Sequence, residues 1–329
     1  MRLNRPALTL LLAALLPVPT AAQQDMRPAA TEAAKSHPWL TLAELRARYQ
    51  DWASRYLTIG GMAVHYKDEG RGPPILLVHG SSSTMKTWDA MVPLLRRAGY
   101  RIIRYDVPGL GLSDDVPDGA LGKVAPADVA EALLSELGVR SVTLVGVSSG
   151  GTLGSFLAAK RPDLVARLII TNAPSDPVDT AHLVPTPEWA AAQARAKASG
   201  FQDANFWSQF LSYFAGDGRR IDAATRAHFY DFNRRTPHKN FISMIAKVAD
   251  AAKARAAMAG VKAPTLLIWG GSDALLPNSA GRTLRDYLTG TDAAIVYLPD
   301  VGHFPPIEAP ERFTRVMLGW LEAAVPINP

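Results

Sequence analysis

Ser148 lies in the run Val145-Gly146-Val147-Ser148-Ser149-Gly150-Gly151, directly after a short apolar segment that reads as a buried strand and directly before one that reads as a helix. A serine at such a strand-to-helix turn is held in a strained backbone conformation, with its hydroxyl presented above the sheet edge. Glycines two residues to either side are required because a side chain there would collide with neighbouring backbone. That spacing decides between two adjacent serines. Ser148 is flanked by Gly146 and Gly150, whereas Ser149 would be flanked by Val147 and Gly151. Ser148 is therefore the candidate nucleophile, and Ser149 is placed to offer its backbone N–H to an oxyanion at the positive end of the following helix.

A serine hydroxyl needs a base within hydrogen-bond reach. Of the 7 histidines, His303 stands in Asp300-Val301-Gly302-His303-Phe304, just beyond the last apolar strand. Loops at the carboxyl ends of parallel strands are where such sheets place their sites. Gly302 permits the turn that brings the ring inward. His79 reads instead as a brace for the loop behind it, and His182, His228 and His238 as surface histidines of a helical insert, with substrate contact open to each. The base in turn needs a carboxylate to fix its tautomer. Asp273, in Trp269-Gly270-Gly271-Ser272-Asp273, is the candidate on the same sheet edge; Asp176, beyond the strand ending at Thr171, is the rival. The loop His79-Gly80-Ser81-Ser82-Ser83-Thr84 is expected to supply the second oxyanion donor, with Ser81 first among its residues. Met85 and Trp88 are candidates for the pocket wall, with a place in the core weighed at least equally.

Other chemistries find no footing. The chain has no cysteine, which removes disulfides, thiolate metal sites and a thiol nucleophile. Asp106-Val107-Pro108-Gly109-Leu110-Gly111 lacks the glycine spacing and the following helix of a dinucleotide loop. No His/Asp/Glu cluster has metal-ligand spacing, no Gly-Lys-Ser/Thr phosphate loop occurs, and no cofactor is implied. The formal net charge of +5 is dispersed, which favours solubility over a nucleic-acid groove.

The elements that must position these residues alternate. Tyr56–Ile59 and Met62–Tyr66 flank Gly60-Gly61 as a hairpin. Apolar strands follow at Ile75–Val78, Arg101–Tyr105, Val142–Val145, Leu168–Thr171, Thr265–Trp269 and Ala294–Leu298, separated by helical segments. This pattern implies a mostly parallel sheet covered on both faces. From 175 to 259 the alternation stops and the reading is helical. Residues Trp189 to Phe241 hold 11 of the chain's 26 aromatic residues, as expected of a lid over a pocket whose rings mostly pack the lid down. The N-terminus has Arg2 and Arg5, an apolar run from Ala7 to Val18, then Thr20-Ala21-Ala22, the order of a secretory signal peptide. Beyond it no stretch approaches the ~18 consecutive apolar residues of a membrane span. The expected organisation is a signal peptide over 1–22, a lead-in over 23–55, a core over 56–174 and 260–329, and a helical cap over 175–259, in a secreted or periplasmic protein. Oligomeric state leaves no mark.

With these residues in view, the chain resembles the lid-bearing α/β-hydrolase superfamily from Tyr56 to Leu321. The resemblance is carried by His79-Gly80, Asp106-Val107-Pro108-Gly109-Leu110-Gly111-Leu112-Ser113-Asp114, the Ser148 turn, Trp269–Asp273 and Gly302-His303-Phe304. It implies an α/β-hydrolase fold, a mostly parallel central sheet with helices on both faces and an inserted helical cap. The layout is similar to haloalkane dehalogenases and epoxide hydrolases, but those carry an aspartate where this chain has Ser148, which argues against both activities. The expectation is a serine hydrolase acting on a small-molecule carboxylic ester or lactone with a hydrophobic or aromatic group. Hydrolysis of a carbon–carbon bond in a vinylogous diketone is the alternative, and a non-catalytic ligand receptor a third reading.

Overall fold

A computed structural model describes residues 39–120, 123–235 and 250–323. The expected signal peptide, His238 and part of the cap lie outside the described residues.

Strands β1 (Arg55–Ile59) and β2 (Met62–Gly70) form the hairpin around Gly60-Gly61. They are followed by β3 (Pro74–Val78), β4 (Arg101–Tyr105), β5 (Val142–Val147), β6 (Val165–Thr171), β7 (Thr265–Gly270) and β8 (Ala293–Leu298). The eight make one sheet in the order β1-β2-β4-β3-β5-β6-β7-β8, parallel from β4 to β8, with β2 antiparallel to its neighbours. Because successive side chains in a strand point to opposite faces, β3 sends Leu76 and Val78 to one core cluster and Ile75 and Leu77 to another. The second cluster is closed by Leu95 and by Phe313, Met317 and Leu321. Both faces are therefore dry, which is why these strands read as unbroken apolar runs.

Among the described residues the helices are, in chain order, α1 (Leu42–Tyr49), α2 (Val92–Arg97), α3 (Pro126–Glu136), α4 (Ser149–Lys160), α5 (Pro187–Ser199), α6 (Ala204–Phe214), α7 (Ala223–Asn233), α8 (Ala251–Gly260), α9 (Asn278–Tyr287), α10 (Pro305–Glu308) and α11 (Pro310–Ala323). Helices α5 to α7 belong to the insert after β6. Trp189 of α5 packs its ring against Phe206, Phe210, Tyr213 and Phe214 of α6, so most of the aromatic excess is the insert's own core. Helix α8 corrects the expected cap boundary at 259. It lies against α4 and α9 with Ala254, Ala257 and Met258 buried, and so packs with the body as the helix that leads back to β7.

The described part of the lead-in, from residue 39, has a definite place. Leu40 and Leu45 pack with Leu112, Tyr49 and Phe232. Arg46 donates to the Leu112 carbonyl and to Asp114 at 2.8 and 2.9 Å, while Tyr49 donates to Asp231 of α7 at 2.7 Å. Helix α1 thus ties the loop after β4 to the cap.

Candidate active site

Five carboxyl-end loops on neighbouring strands converge. Ser148 follows β5 with φ 54° and ψ −130°, a conformation that a residue with a Cβ rarely adopts and that costs on the order of 1–3 kcal/mol. Its neighbours show why only glycine fits beside it. A Cβ on Gly146 would lie 2.4 Å from the Gly150 carbonyl oxygen, and one on Gly150 would lie 2.4 Å from that of Val78. The turn is pinned by the Ser148 N–H, which donates to the Thr171 carbonyl at the end of β6 (2.9 Å).

The next residue, Asn172, was not legible as part of any site. It has φ 42° and is fully buried. Its Nδ2 donates to Asp273 Oδ2 at 2.7 Å, and its Oδ1 accepts the Gly270 N–H at 2.8 Å and the Thr171 hydroxyl at 3.0 Å. The same Oδ2 of Asp273 lies 2.7 Å from His303 Nδ1, and the other carboxylate oxygen accepts the Leu275 N–H at 2.8 Å. Ser148, Asp273 and His303 are 5%, 5% and 3% exposed, so the pair works in a low dielectric where its geometry is held firmly. Asp176, the rival acid, instead pairs with Arg255 at the surface.

The loop after β3 runs against the turn. A Cβ on Gly80 would sit 2.9 Å from Ser148 Cβ and 3.5 Å from its Oγ. Ser81 Oγ and Ser149 Oγ are hydrogen-bonded at 2.9 Å, so the two expected oxyanion residues lie together. Ser149 opens α4, and the first N–H groups of a helix have no intrahelical acceptor. His79 braces this loop: its Nδ1 faces the Gly80 carbonyl at 2.8 Å and its Nε2 accepts the Val107 N–H at 3.0 Å. Complete burial lowers its pKa, in keeping with a neutral ring.

Trp88 is wholly buried and packs with Ile75, Leu77 and Met91, which is the core place left open for it beside the pocket wall, and Met85 is buried as well, at 2% exposure. His228 is corrected from surface to interior. It is buried on α7, and desolvation lowers its pKa to about 4. A cleft of about 380 Å³ bordered by Lys86, Asp89, Arg220 and His228 lies between cap and body, and none of Ser148, Asp273 and His303 lines it.

The cap is joined to the histidine loop. The His303 N–H donates to the Phe214 carbonyl at the end of α6 (2.8 Å). Glu308 accepts N–H groups from Gly302 (3.1 Å), Phe304 (3.1 Å) and Gly216 (2.8 Å), and so holds both neighbours of His303 and the cap chain at once. Burial raises its pKa, against the opposing pull of those N–H groups. Gly302 is needed for this approach more than for a turn, since a Cβ there would lie 2.3 Å from Gly216 N. Asn233 of α7 reaches the Ser82 carbonyl at 2.9 Å.

The model of the alpha/beta hydrolase fold family matches residues 73–310, which spans every one of these loops. This chain belongs to that family.

Among α/β hydrolases, the chain is 25% identical over 266 residues to the 2-hydroxy-6-oxononadienedioate/2-hydroxy-6-oxononatrienedioate hydrolase of Escherichia coli (strain K12), covering 79% of this chain and 91% of that one. The enzyme of the same name from Klebsiella pneumoniae subsp. pneumoniae is 26% identical over 282 residues, covering 82% and 96%. In three dimensions the chain is similar to the enol-lactonase from Burkholderia xenovorans LB400, with a TM-score of 0.62, 23% identity and coverage of 82% and 100%. That likeness establishes the fold. The chain is a hydrolase of this family, and among its described residues no helix is long and apolar enough to cross a membrane.

Proposed function

We propose that the protein is a serine hydrolase that cleaves a carbon–carbon bond beside a ketone in a vinylogous diketone. The observation that carries the serine mechanism is the strained Ser148 turn on the same sheet edge as the 2.7 Å Asp273–His303 pair. The two relatives that cover about four-fifths of the chain, both named for hydrolysis of hydroxy-oxo-dienoates, support the bond class. In this reading His303 takes the Ser148 proton as Oγ adds to the ketone carbon, and the N–H groups of Ser81 and Ser149 hold the oxyanion. Collapse breaks the carbon–carbon bond. The electron pair moves into the conjugated chain as a dienolate, which recovers a proton from His303. Water, deprotonated by His303, then frees the acyl group from Ser148. Asp273 keeps the imidazole in the tautomer that accepts at Nε2.

A carboxylic ester or lactone is the second reading, and one observation favours it. Phe304 meets the His303 ring edge-on at 5.4 Å, with Phe210 and Phe229 packed against it in turn, an apolar cluster beside the base that suits a hydrophobic ester or lactone. A panel of vinylogous diketones, p-nitrophenyl esters and lactones, run on the purified protein, separates the two. The first reading expects kcat/KM on a diketone to exceed that on any ester by about 100-fold or more, a transition-state preference of roughly 3 kcal/mol. Ester turnover with no diketone turnover would replace it with the second.

The N-terminal signature supports export of the mature enzyme. N-terminal sequencing of the secreted or periplasmic protein should find a start close to Gln23, and an intact Met1 in the cytoplasm would overturn this.

A further inference from the structure

A second Ser-His-Asp array lies on the opposite flank of the sheet. His65 on β2 is buried, with Nδ1 2.8 Å from Asp106 Oδ2 and Nε2 2.9 Å from Ser54 Oγ. Asp106 is held as an acceptor: its oxygens also receive the Leu112 N–H at 2.9 Å and the Met85 N–H at 2.8 Å. With the carboxylate occupying the Nδ1 proton, Nε2 is left as the lone pair that faces the Ser54 hydroxyl. This is the tautomer and the sequence of contacts that a general base needs. The Tyr56 ring covers His65 at 5.1 Å, and the Arg46 guanidinium lies over Tyr56 at 4.7 Å, so the imidazole cannot swing away.

Ser54 itself is half-buried, next to Trp52, which is 88% exposed. Its Oγ accepts the Asp51 N–H at 3.2 Å and lies 3.5 Å from Asp51 Oδ1, as a turn-closing serine would. That role accounts for the two longer contacts and leaves the shortest, 2.9 Å to His65 Nε2, unexplained, because a turn cap needs no buried imidazole–carboxylate pair behind it. The guanidinium of Arg55 donates to the Ser54 and Trp52 carbonyls at 3.0 and 2.8 Å, which holds the backbone of this turn.

We propose that Ser54 is a second nucleophilic serine, activated by His65 and Asp106, that accepts an acyl group from activated esters. In the step, Ser54 Oγ bonds to the acyl carbon, the ester C–O bond breaks, the alkoxide or phenolate leaves, and His65 Nε2 takes the serine proton. A positioned general base contributes about 10²–10⁴-fold, whereas each missing oxyanion donor forfeits about 10²–10³-fold. Ser54 sits in a turn and not at a helix start, so the balance gives one-time acylation and not rapid turnover.

The test is p-nitrophenyl acetate on the full Ser148→Ala chain, followed by tryptic mapping of the peptide Tyr49–Arg55, whose one serine is Ser54 and which contains no lysine. The expected result is acetyl on Ser54, placed by fragmentation, forming at least about 100-fold faster in the folded protein than in urea. It should be absent from Ser148→Ala/Ser54→Ala. His65→Gln should slow it about 10-fold or more, and if that variant does not fold, the folded-against-urea comparison stands alone. No acetyl on Ser54 in the folded chain, or equal labelling with and without urea, would overturn the proposal.

Discussion

Asn172 Nδ2 and His303 Nδ1 both reach the same oxygen of Asp273, each at 2.7 Å. The amide thereby fixes the plane of the carboxylate that orients the imidazole, while its own Oδ1 is anchored on the Gly270 N–H. Asn172→Gly removes the amide without penalising the positive φ. Losing one charge-assisted hydrogen bond of roughly 1.5–3 kcal/mol should lower kcat about 10- to 100-fold with KM little changed. An unchanged kcat, measured in steady state, would show that Asp273 needs no such support.

Gly302 is where the cap chain meets the histidine loop. In Gly302→Ala the new methyl would overlap Gly216 N and the Phe214 carbonyl, both backbone atoms that cannot swing aside. The expected result is a loss of about 2 kcal/mol or more in urea unfolding, together with reduced turnover. Wild-type behaviour in both would mean that cap and loop separate easily.

Two buried groups give opposite pH dependences. For His228 the folded pKa, about 4, lies below the ordinary value of 6.5, so the unfolded chain binds more protons between them and stability is lost as pH falls through that window. The loss is on the order of 3 kcal/mol at most. His228→Phe should therefore melt at a less pH-dependent temperature between pH 6.5 and 4. Glu308 has a raised pKa, so its contribution is full below the ordinary carboxylate value and falls as pH rises through the raised one. Glu308→Gln should remove that decline. Melting curves for both variants across pH 4 to 7 separate the two slopes, and parallel curves for variant and parent would contradict the assignments.

Asp231 joins α1 to the cap. It is buried and receives Tyr49 at 2.7 Å and Arg234 at 2.7 Å, and the Tyr49 pKa is pushed up to about 12 by burial and this carboxylate. Asp231→Ala leaves these donors without their shared acceptor and should cost about 1–3 kcal/mol. Proteolysis should also cut earlier between α1 and β1, which can be followed by limited digestion.

The strands and the Ser148 turn were legible because they rest on local signals: unbroken apolar runs, and glycines whose spacing answers to backbone atoms a few residues away. Asp273 was legible by its place after a strand, and its rival Asp176 turned outward to Arg255. The placing of β4 between β2 and β3 was not legible, since nothing in an apolar run states its neighbour. Asn172 was missed because its partner lies 101 residues away and a polar residue after a strand is ordinary in a turn. Glu308 was missed because a carboxylate in a short helix reads as a surface charge, and the Ser54–His65–Asp106 array because its members stand on separate elements 11 and 41 residues apart. For Met85 and Trp88 the choice between pocket wall and core stayed open, because an amphipathic-looking turn near a site reads alike in either place.

The most direct test is steady-state turnover of Ser148→Ala on the best substrate from the panel, beside Ser54→Ala as a control. Ser148→Ala should lose about 10⁴-fold or more in kcat with its fold intact by circular dichroism, while Ser54→Ala keeps parental turnover. Turnover by Ser148→Ala within tenfold of the parent would contradict the assignment of this hydroxyl as the nucleophile.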